Sequence, residues 1–335
     1  MRGIALVTGA TGAIGLTLVE ALANTGYSVR ALVRDARGPH PTLRDVETVV
    51  GDIRDCRVLA RAVENASVVF HLAAKLHVVV RGADRVVRDD YEQVNVDATR
   101  RLAEASTRAG VRRFVYFSTV AVYGPTRHDE VLHEASPPRP KSIYAETKLR
   151  GETAAMRGPN TVVLRLAAVY GRHVKGNYRR LVRSIQRGLF IRLGRGTNRR
   201  TLVHEQDVAR AAILASERAA TGRIYNVTDG YVHELRDIVK AISAAVGRRV
   251  IPGYLPVAPA RFTIGMIEDA FRLTGRKPPI DRHTVDTLLE DVAVSGERFR
   301  VELGFRPTFD LTSGWRDALT PTMTQSPGAF RMGRC

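Results

Sequence analysis

IALVTGATGAIG, residues 4–15, is the stretch that decides the fold of this chain. Its apolar start predicts a buried strand, and an amphipathic helix follows the glycines. The first glycine permits a tight turn, the second lets a pyrophosphate approach the backbone, and the third lets helix and strand pack closely. Phosphates would bind the unpaired N–H groups at the helix N-terminus, where the helix dipole favours negative charge. The nucleotide-binding residues predicted here are Gly9, Thr11, Gly12, Ala13, Ile14 and Gly15.

Strands and helices alternate after this motif. The predicted strands are residues 27–34, 47–50, 66–72, 111–117 and 162–166. This alternation predicts an α/β fold, a doubly wound parallel sheet of the Rossmann type, in which ligands lie beyond the carboxyl ends of the strands. The glycine motif, Leu72-Ala73-Ala74 and Ser118-Thr119 all occupy such ends, so we expect them to form one site. The small Ala73 and Ala74 would let a flat ligand lie against the backbone.

The second half of the chain is less regular. The elements predicted there are helices 178–187, 206–217 and 235–246 and strands 190–193 and 225–227. We therefore predict a dinucleotide-binding domain at 1–165, to which later strands return, and a smaller α/β substrate lobe at 166–319. Residues 320–335 contain proline, glycine and small polar residues without periodicity, so we expect a disordered tail.

The composition limits the class of protein. A chain of 335 residues with 44% hydrophobic residues can bury a sizeable core, which excludes global disorder. No uncharged apolar run reaches the roughly 18 residues of a membrane span, and the first strand leaves no room for a signal peptide. The two cysteines, Cys56 and Cys335, predict no disulfide framework, so we expect a cytoplasmic protein.

The net charge of +18 is compatible with nucleic acid, an anionic membrane surface or phosphate-bearing substrates. The excess is mostly arginine, is spread along the chain and forms no nucleic-acid-binding module, so we expect no nucleic-acid partner. We interpret the charge as a solvated surface. Part of it, in residues 176–180 and 196–200, would clamp a diphosphate, because guanidinium groups suit phosphate oxygens.

Residues at the ends of the second and third strands bear on the choice of dinucleotide. Arg34 favours a phosphorylated ribose, whereas Asp35 lies about 20 residues beyond the last glycine and suits an unphosphorylated one. The choice between NADP and NAD therefore stays open. Asp52-Ile53 could flank the adenine ring, although Asp52 could equally cap a helix.

Tyr144 and Lys148 are four residues apart at the start of a predicted helix and face the same side. A lysine ammonium beside a phenol favours the phenolate, so we expect a lowered pKa for Tyr144. The hydroxyl of Thr119 or Ser118 could bind the same substrate oxygen. Hydride transfer at a carbinol carbon needs a proton transfer at that oxygen, and these residues could provide it.

These features together resemble the extended short-chain dehydrogenase/reductase superfamily, and within it the nucleotide-sugar epimerase/dehydratase family. The resemblance runs from residue 1 to about 318 and includes Asn95, residues 122–124 and residues 200–204. It implies NAD or NADP on the N-terminal sheet, a nucleoside-diphosphate sugar in the C-terminal lobe and a homodimer. The roles that it implies are catalysis for Thr119, Tyr144 and Lys148, cofactor binding for Arg34, Asp52, Ile53, Leu72, Ala73, Ala74, Asn95, Tyr144 and Lys148, and substrate binding for Lys75, Asn177 and Arg200.

Two departures from the family pattern narrow the reaction. The 4,6-dehydratases of this family carry an Asp-Glu pair after the catalytic threonine, as acid and base for elimination, where this chain has Val120 and Ala121. Ala168 stands where the epimerases often present an asparagine to the substrate. The leading hypothesis is a nucleotide-sugar 4-epimerase, similar to UDP-glucose 4-epimerase, or a 4-ketoreductase.

Two other hypotheses share the fold. An NADP-dependent hydroxysteroid- or dihydroflavonol-type reductase would use the same tyrosine and lysine, and the apolar residues 255–259 and 264–273 suit a greasy substrate. A non-enzymatic dinucleotide sensor would keep the fold without the chemistry, but the presence of Thr119, Tyr144 and Lys148 argues against it. We assign no metal ligands.

Overall fold

The computed structural model describes residues 2–35, 41–76, 85–174, 176–250, 253–273 and 289–320. The strands in these residues are β1 (Ile4–Thr8), β2 (Ser28–Val33), β3 (Glu47–Val50), β4 (Ala66–His71), β5 (Arg113–Thr119), β6 (Val162–Leu166), β7 (Ala168–Tyr170), β8 (Arg199–His204), β9 (Ile224–Val227) and β10 (Val232–Glu234). The helices are α1 (Ala13–Asn24), α2 (Cys56–Val63), α3 (Arg85–Glu92), α4 (Ala98–Arg108), α5 (Ile143–Ala155), α6 (Asn177–Gln186), α7 (Glu205–Arg218), α8 (Leu235–Val246), α9 (Val257–Leu273), α10 (Glu297–Leu303) and α11 (Leu311–Leu319).

Seven of the described strands form one parallel sheet in the order β3-β2-β1-β4-β5-β6-β9. The strand order reverses between β1 and β4, which is the switch point where doubly wound sheets bind ligands. The register pairs Thr8 of β1 with His71 of β4, so the carboxyl ends of these strands lie side by side. The predicted α/β fold with a doubly wound parallel sheet is confirmed.

The sheet is apolar on both faces, because helices cover both of them. Consecutive strand residues point to opposite faces, so Leu6 packs in the cluster that contains Leu102 of α4, whereas Val7 packs in the cluster that contains Leu18 of α1. Burial on both faces explains why the strands appear in the sequence as continuous apolar runs.

The second half of the chain contributes to two sheets. β9 pairs with β6 at the edge of the main sheet, and α7 packs beside α1 on one face of it. A second sheet has the order β10-β8-β7, and an apolar cluster around Tyr170, Leu202, Ile238 and Trp315 packs α6, α8 and α11 against one another. Later elements therefore return to the first sheet, and the boundary at residue 165 stays a prediction.

Several local predictions are wrong. The predicted strand at 190–193 forms no strand, and only Leu193 makes an isolated bridge, with Leu255. A π-helical turn at Gln93–Asp97 lies between α3 and α4 and breaks the regular α-helical pattern there. Asp52 does not cap α2, because Asp55 accepts the hydrogen bond from the backbone of Arg57.

Two further expectations concern the termini and the membrane. The predicted disordered tail at 320–335 lies outside the described residues, apart from Thr320, whose N–H donates to the Asp317 carbonyl. In the described part of the chain, no helix combines the length and the apolar character that crossing a bilayer requires.

Candidate active site

The glycine loop after β1 packs closely against the neighbouring backbone because it lacks side chains. Gly9 has a φ of +73°, and a Cβ on it would lie 2.8 Å from the nitrogen of Ala73. A Cβ on Gly15 would lie 2.2 Å from the Gly9 carbonyl oxygen, so only glycine lets α1 start this close to the loop. Gly12 is the N-cap of α1 and offers no side chain to its N–H groups. This exposed helix start fits a diphosphate.

The ends of β2 and β3 bring Arg34 and Asp52 together. Asp52 accepts two hydrogen bonds from the Arg54 guanidinium, at 3.0 Å from Nε and 2.7 Å from Nη2. These bonds hold the pKa of Asp52 below its usual value, and the charge of Arg34 contributes to the same effect. Ile53 is buried, whereas Arg34 is exposed at the predicted ribose end. Arg54 thus takes up part of the hydrogen-bonding capacity of the Asp52 carboxylate.

Asn95 fixes the loop that follows β4. Its Oδ1 accepts from the Lys75 N–H at 2.7 Å, and its Nδ2 donates to the Lys75 carbonyl at 3.3 Å and to Thr147 Oγ1 at 3.0 Å. Asn95 is buried and lies in the π-helical turn, a feature frequent at functional sites. Its amide is engaged by the protein, so the geometry makes Asn95 a residue that positions the loop carrying Ala73 and Ala74.

Lys75 is one of the residues for which the resemblance implies a substrate contact. Its ammonium forms an ion pair with Asp90 and lies 5.9 Å from the centroid of the Tyr91 ring. The charge is therefore held by α3, and a substrate contact by Lys75 stays a prediction.

His71 lies under the site at the end of β4. Its Nδ1 is 2.7 Å from Thr8 Oγ1 and its Nε2 is 2.8 Å from Thr99 Oγ1. Burial, with a smaller contribution from the charge of Lys148, lowers the pKa of His71 to about 3. His71 is therefore a neutral, packed strand residue that ties β4 to β1 and α4.

Helix α5 carries Tyr144 and Lys148 to the edge of the sheet. Ser142 caps this helix by accepting from the Ala145 N–H at 3.2 Å, so Tyr144 is in its first turn. Lys148 is 2% exposed, and its Nζ lies 4.0 Å from the centroid of the Tyr116 ring. Thr119 ends β5, and its Oγ1 accepts from the Ala121 N–H at 3.2 Å, which leaves its hydroxyl hydrogen for a substrate oxygen.

The protonation of Tyr144 and Lys148 differs from the expectation. Burial lowers the pKa of Lys148 to about 7, and the nearby Glu152 charge opposes this only in part. Burial raises the pKa of Tyr144 to about 12, with a further contribution from Tyr91. The lowered pKa expected for Tyr144 is therefore wrong for the free protein, because burial disfavours the charged phenolate. Near neutral pH, Tyr144 is a phenol that can donate a proton.

Ser118 does not share the role of Thr119. Neighbouring strand residues point to opposite faces, and the Ser118 hydroxyl donates to Glu152 Oε1 at 2.5 Å in the interior. Of the two hydroxyls predicted, Thr119 is the half-buried one, at the end of the strand.

A buried polar network behind α5 was missed by the sequence analysis. Arg165 of β6 binds Glu152 of α5 and donates from Nη1 to the Tyr123 hydroxyl at 2.8 Å, and that hydroxyl donates to Asn226 Oδ1 at 2.9 Å. Two signals were available in the sequence. Glu152 lies four residues after Lys148, and Arg165 interrupts an apolar strand.

The predicted diphosphate clamps lie on α6 and β8. Asn177 begins α6 and is exposed. The next residue, Tyr178, lies near Arg200, and the positive charge of the Arg200 guanidinium acts on the Tyr178 hydroxyl. Burial lowers the pKa of Arg200, which is half-buried. Arg199 is not a clamp, because its Nη2 donates to the carbonyls of Arg127 and Glu130, at 3.0 and 2.8 Å.

Comparisons with known proteins agree with this arrangement. Residues 5–228 match the model of the NAD dependent epimerase/dehydratase family. A 3 beta-hydroxysteroid dehydrogenase/Delta 5-->4-isomerase of Mycobacterium tuberculosis is 30% identical over 92% of this chain and 87% of its own length.

Two solved structures are similar over nearly the whole chain. MoeE5 in complex with UDP-glucuronic acid and NAD is 30% identical, with a TM-score of 0.73 over 94% of this chain and 97% of that one. The UDP-glucose 4-epimerase of Thermus thermophilus in complex with NAD is 28% identical, with the same TM-score and coverage. The chain thus belongs to the NAD-dependent epimerase/dehydratase family, within the extended short-chain dehydrogenase/reductase superfamily.

Proposed function

We propose that this protein is a nucleoside-diphosphate-sugar 4-epimerase or 4-ketoreductase that uses NAD or NADP, with Tyr144 as the acid and base. The observation that carries the proposal is the position of Tyr144 and Lys148 on α5, with Thr119 at the carboxyl end of β5, beside the strand switch point. A dinucleotide bound at that point would supply or accept the hydride.

The glycine loop and the loop after β4 support the proposed dinucleotide site. Gly9, Gly12 and Gly15 leave the start of α1 open to the diphosphate, and a side chain on Gly9 or Gly15 would collide with the neighbouring backbone. Ala73 is held by the hydrogen bond of its N–H to Thr8 Oγ1, at 3.2 Å, which fixes the small-residue loop against which the nicotinamide would lie.

The proton at the sugar oxygen would move through Tyr144. As a phenol, Tyr144 donates a proton to the C4 oxygen when a keto-sugar is reduced, and as a phenolate it removes that proton when the alcohol is oxidised. The Thr119 hydroxyl orients the same oxygen. Lys148, when protonated, favours the phenolate, and its pKa of about 7 leaves both its charge states accessible near neutral pH.

The nucleotide-sugar assignment is supported by Arg200 and by the relatives. Arg200 is a half-buried guanidinium beside Tyr178, suited to a diphosphate. Val120 is buried and Ala121 follows it in a 3-10 helical turn, so these positions supply neither an acid nor a base for dehydration. This absence favours epimerisation or reduction.

We also propose a cytoplasmic homodimer.

The test starts with the dinucleotide that co-purifies with the protein. Tightly held NAD points to an epimerase that recycles its hydride, whereas an empty site that binds NADPH points to a reductase. UDP-glucose, UDP-N-acetylglucosamine and 4-keto nucleotide sugars are then incubated with the enzyme and followed by NMR for inversion or reduction at C4. Turnover of any of them supports the proposal, and no turnover together with no effect on cofactor fluorescence or melting contradicts it.

A hydroxysteroid-type reductase is the second candidate. It is favoured by the 30% identical steroid dehydrogenase and by α9, which exposes Phe262 and Met266 to solvent at 69% and 59%. Oxidation of 3β-hydroxysterols with NAD or NADP, without activity on any nucleotide sugar, would establish this candidate instead.

A further inference from the structure

A cleft between α6 and α11 carries a concentration of positive charge outside the candidate active site. It has a volume of about 210 Å³, and the described residues that line it include Arg172, Arg179, Arg183, Tyr178 and Trp315. None of these lining residues is acidic. The lining of the cleft therefore holds three guanidinium groups, of which that of Arg172 is paired with Asp317, a residue outside the lining.

Two of these arginines lack an acidic partner within the part of the chain that the structure describes. Arg179 and Arg183 are exposed and lie one turn apart on α6, and no acidic side chain of the described residues forms an ion pair with either. Like charges at this spacing disfavour a helix. Arg172 differs, because its Nη2 is held by Asp317 Oδ1 at 2.6 Å, which fixes its guanidinium beside the cleft.

Trp315 provides an independent observation. It is 2% exposed, its ring stacks on Tyr170 with centroids 4.5 Å apart, and it lies 5.7 Å from the Tyr178 ring. Its Nε1 is buried, and the described residues provide no hydrogen-bond acceptor for it. Buried tryptophan N–H groups usually have an acceptor, so Trp315 brings to the wall of this cleft a donor whose acceptor the described residues do not supply.

We propose that this cleft binds a small phosphate-bearing anion. Guanidinium groups bind phosphate oxygens by paired, charge-assisted hydrogen bonds, and the Trp315 N–H would donate one more. The volume is below the roughly 300 to 1,000 Å³ that larger ligands occupy, so the ligand is inorganic phosphate or a small phosphomonoester and not a nucleotide sugar.

The proposed anion site is separate from the substrate contacts proposed above, although it lies close to them. Asn177 begins α6 immediately before Tyr178, whereas Arg179 and Arg183 line the cleft further along the same helix. Neither Tyr144 nor Arg200 lines the cleft, so anion binding can be tested whatever reaction the enzyme catalyses.

Trp315 is the single tryptophan of the chain, so its fluorescence reports this cleft directly. The wild-type protein is titrated with inorganic phosphate and, separately, with glucose 1-phosphate, at constant ionic strength held with potassium chloride. We expect a saturable change in Trp315 fluorescence. A Kd for glucose 1-phosphate at least tenfold lower than that for phosphate identifies a phosphomonoester, and similar Kd values identify free phosphate.

Variants separate specific binding from general charge effects. Arg179→Ala/Arg183→Ala should weaken binding at least tenfold, whereas Arg187→Ala, at the end of the same helix but outside the cleft lining, should leave the Kd unchanged. Circular dichroism and Tm verify that each variant is folded. No saturable change with either anion, or the same Kd in the double variant as in the wild type, would overturn the proposal.

Discussion

Arg165 and Glu152 form a two-pronged ion pair in the interior, with Arg165 Nε 2.9 Å from Glu152 Oε1 and Nη2 2.7 Å from Oε2. Both side chains are about 5% exposed or less. The pair joins β6 to α5, the helix that also carries Tyr144 and Lys148. Lys148 is one turn before Glu152, and Tyr144 is two turns before it. The ion pair therefore fixes the orientation of the helix on which the proposed chemistry depends.

Glu152→Gln should destabilise the fold strongly. The substitution keeps the shape but leaves the buried Arg165 charge without its carboxylate, which costs about 3 to 5 kcal/mol. The free energy of unfolding is measured by urea titration. The matched control is Glu297→Gln, which breaks the exposed pair with Arg300 and should cost about 1 kcal/mol or less.

A second variant shows whether the cost comes from the unpaired charge. Glu152→Gln/Arg165→Met removes both charges and should recover part of the stability lost in Glu152→Gln, because no buried charge is then left unpaired. If Glu152→Gln is as stable as Glu297→Gln, the ion pair does not have the structural role assigned to it.

The buried Lys148 should make stability depend on pH. Its pKa falls from 10.5 to about 7 on folding, so between these values the unfolded chain binds more protons than the folded one. The contribution of Lys148 to the free energy of unfolding therefore rises with pH, by up to about 1.4 kcal/mol per unit. The wild type should gain stability relative to Lys148→Met between pH values of about 7 and about 9.5.

Chemical denaturation at each pH measures this difference. Lys240→Met, at an exposed lysine, is the control, and its stability should run parallel to that of the wild type over the same range. Parallel profiles for the wild type and Lys148→Met would show that Lys148 keeps its charge in the folded protein, in conflict with its burial.

Gly12 and Gly15 should respond differently to a methyl group. A Cβ on Gly15 would lie 2.2 Å from the Gly9 carbonyl oxygen, so Gly15→Ala should lower the Tm by separating α1 from β1. A Cβ on Gly12 would meet only that oxygen, at 3.1 Å, and would otherwise occupy the proposed diphosphate space. Gly12→Ala should keep a Tm near that of the wild type and weaken dinucleotide binding at least tenfold.

Thermal melts and dinucleotide titration monitored by fluorescence test both variants. Undiminished dinucleotide affinity in a folded Gly12→Ala protein would place the diphosphate away from this loop.

The sequence predicted best what depends on neighbours along the chain. The glycine spacing at residues 4–15 and the alternation of apolar runs depend on local sterics and periodicity, and they were sufficient for the fold. The π-helical turn around Asn95 has no such signal, because it depends on the hydrogen bonds that Asn95 makes with Lys75 and Thr147 across the site. At the predicted strand 190–193, Phe190 instead packs from a loop against the apolar cluster around Tyr170 and Trp315, a contact with residues distant in the sequence.

The protonation states of Tyr144 and Lys148 could not be predicted from the sequence for a related reason. The spacing of Tyr144 and Lys148 on one helix predicts an attraction between phenolate and ammonium, and this spacing is a local property of the sequence. Whether desolvation exceeds the attraction depends on Tyr91, Tyr116 and Glu152, which come from other elements or later turns. The sequence does not show how deeply these neighbours bury the pair.

Arg34 should determine the preference between the two dinucleotides. It is exposed at the end of β2, where a 2′-phosphate would lie, and Asp52 beside it is already bound by Arg54. Arg34→Gln should therefore weaken NADPH binding by about tenfold, the loss of one charge-assisted contact of roughly 1.4 kcal/mol. The Kd of NADH should change less than twofold, and equal losses for NADPH and NADH would contradict the assignment.

Tyr144→Phe removes one oxygen atom and should remove the proposed chemistry. Loss of a positioned acid lowers kcat by about 100- to 10,000-fold, whereas dinucleotide affinity and Tm should stay near the wild-type values because the ring remains in place. Tyr231→Phe, at a tyrosine that is 65% exposed, is the control and should keep full activity. Steady-state kinetics on the identified substrate and dinucleotide titration give both readouts. Normal turnover by Tyr144→Phe would rule out Tyr144 as the proton donor. The assignment of the dinucleotide-binding fold would remain, since it rests on the backbone pairing of the parallel strands and not on this side chain.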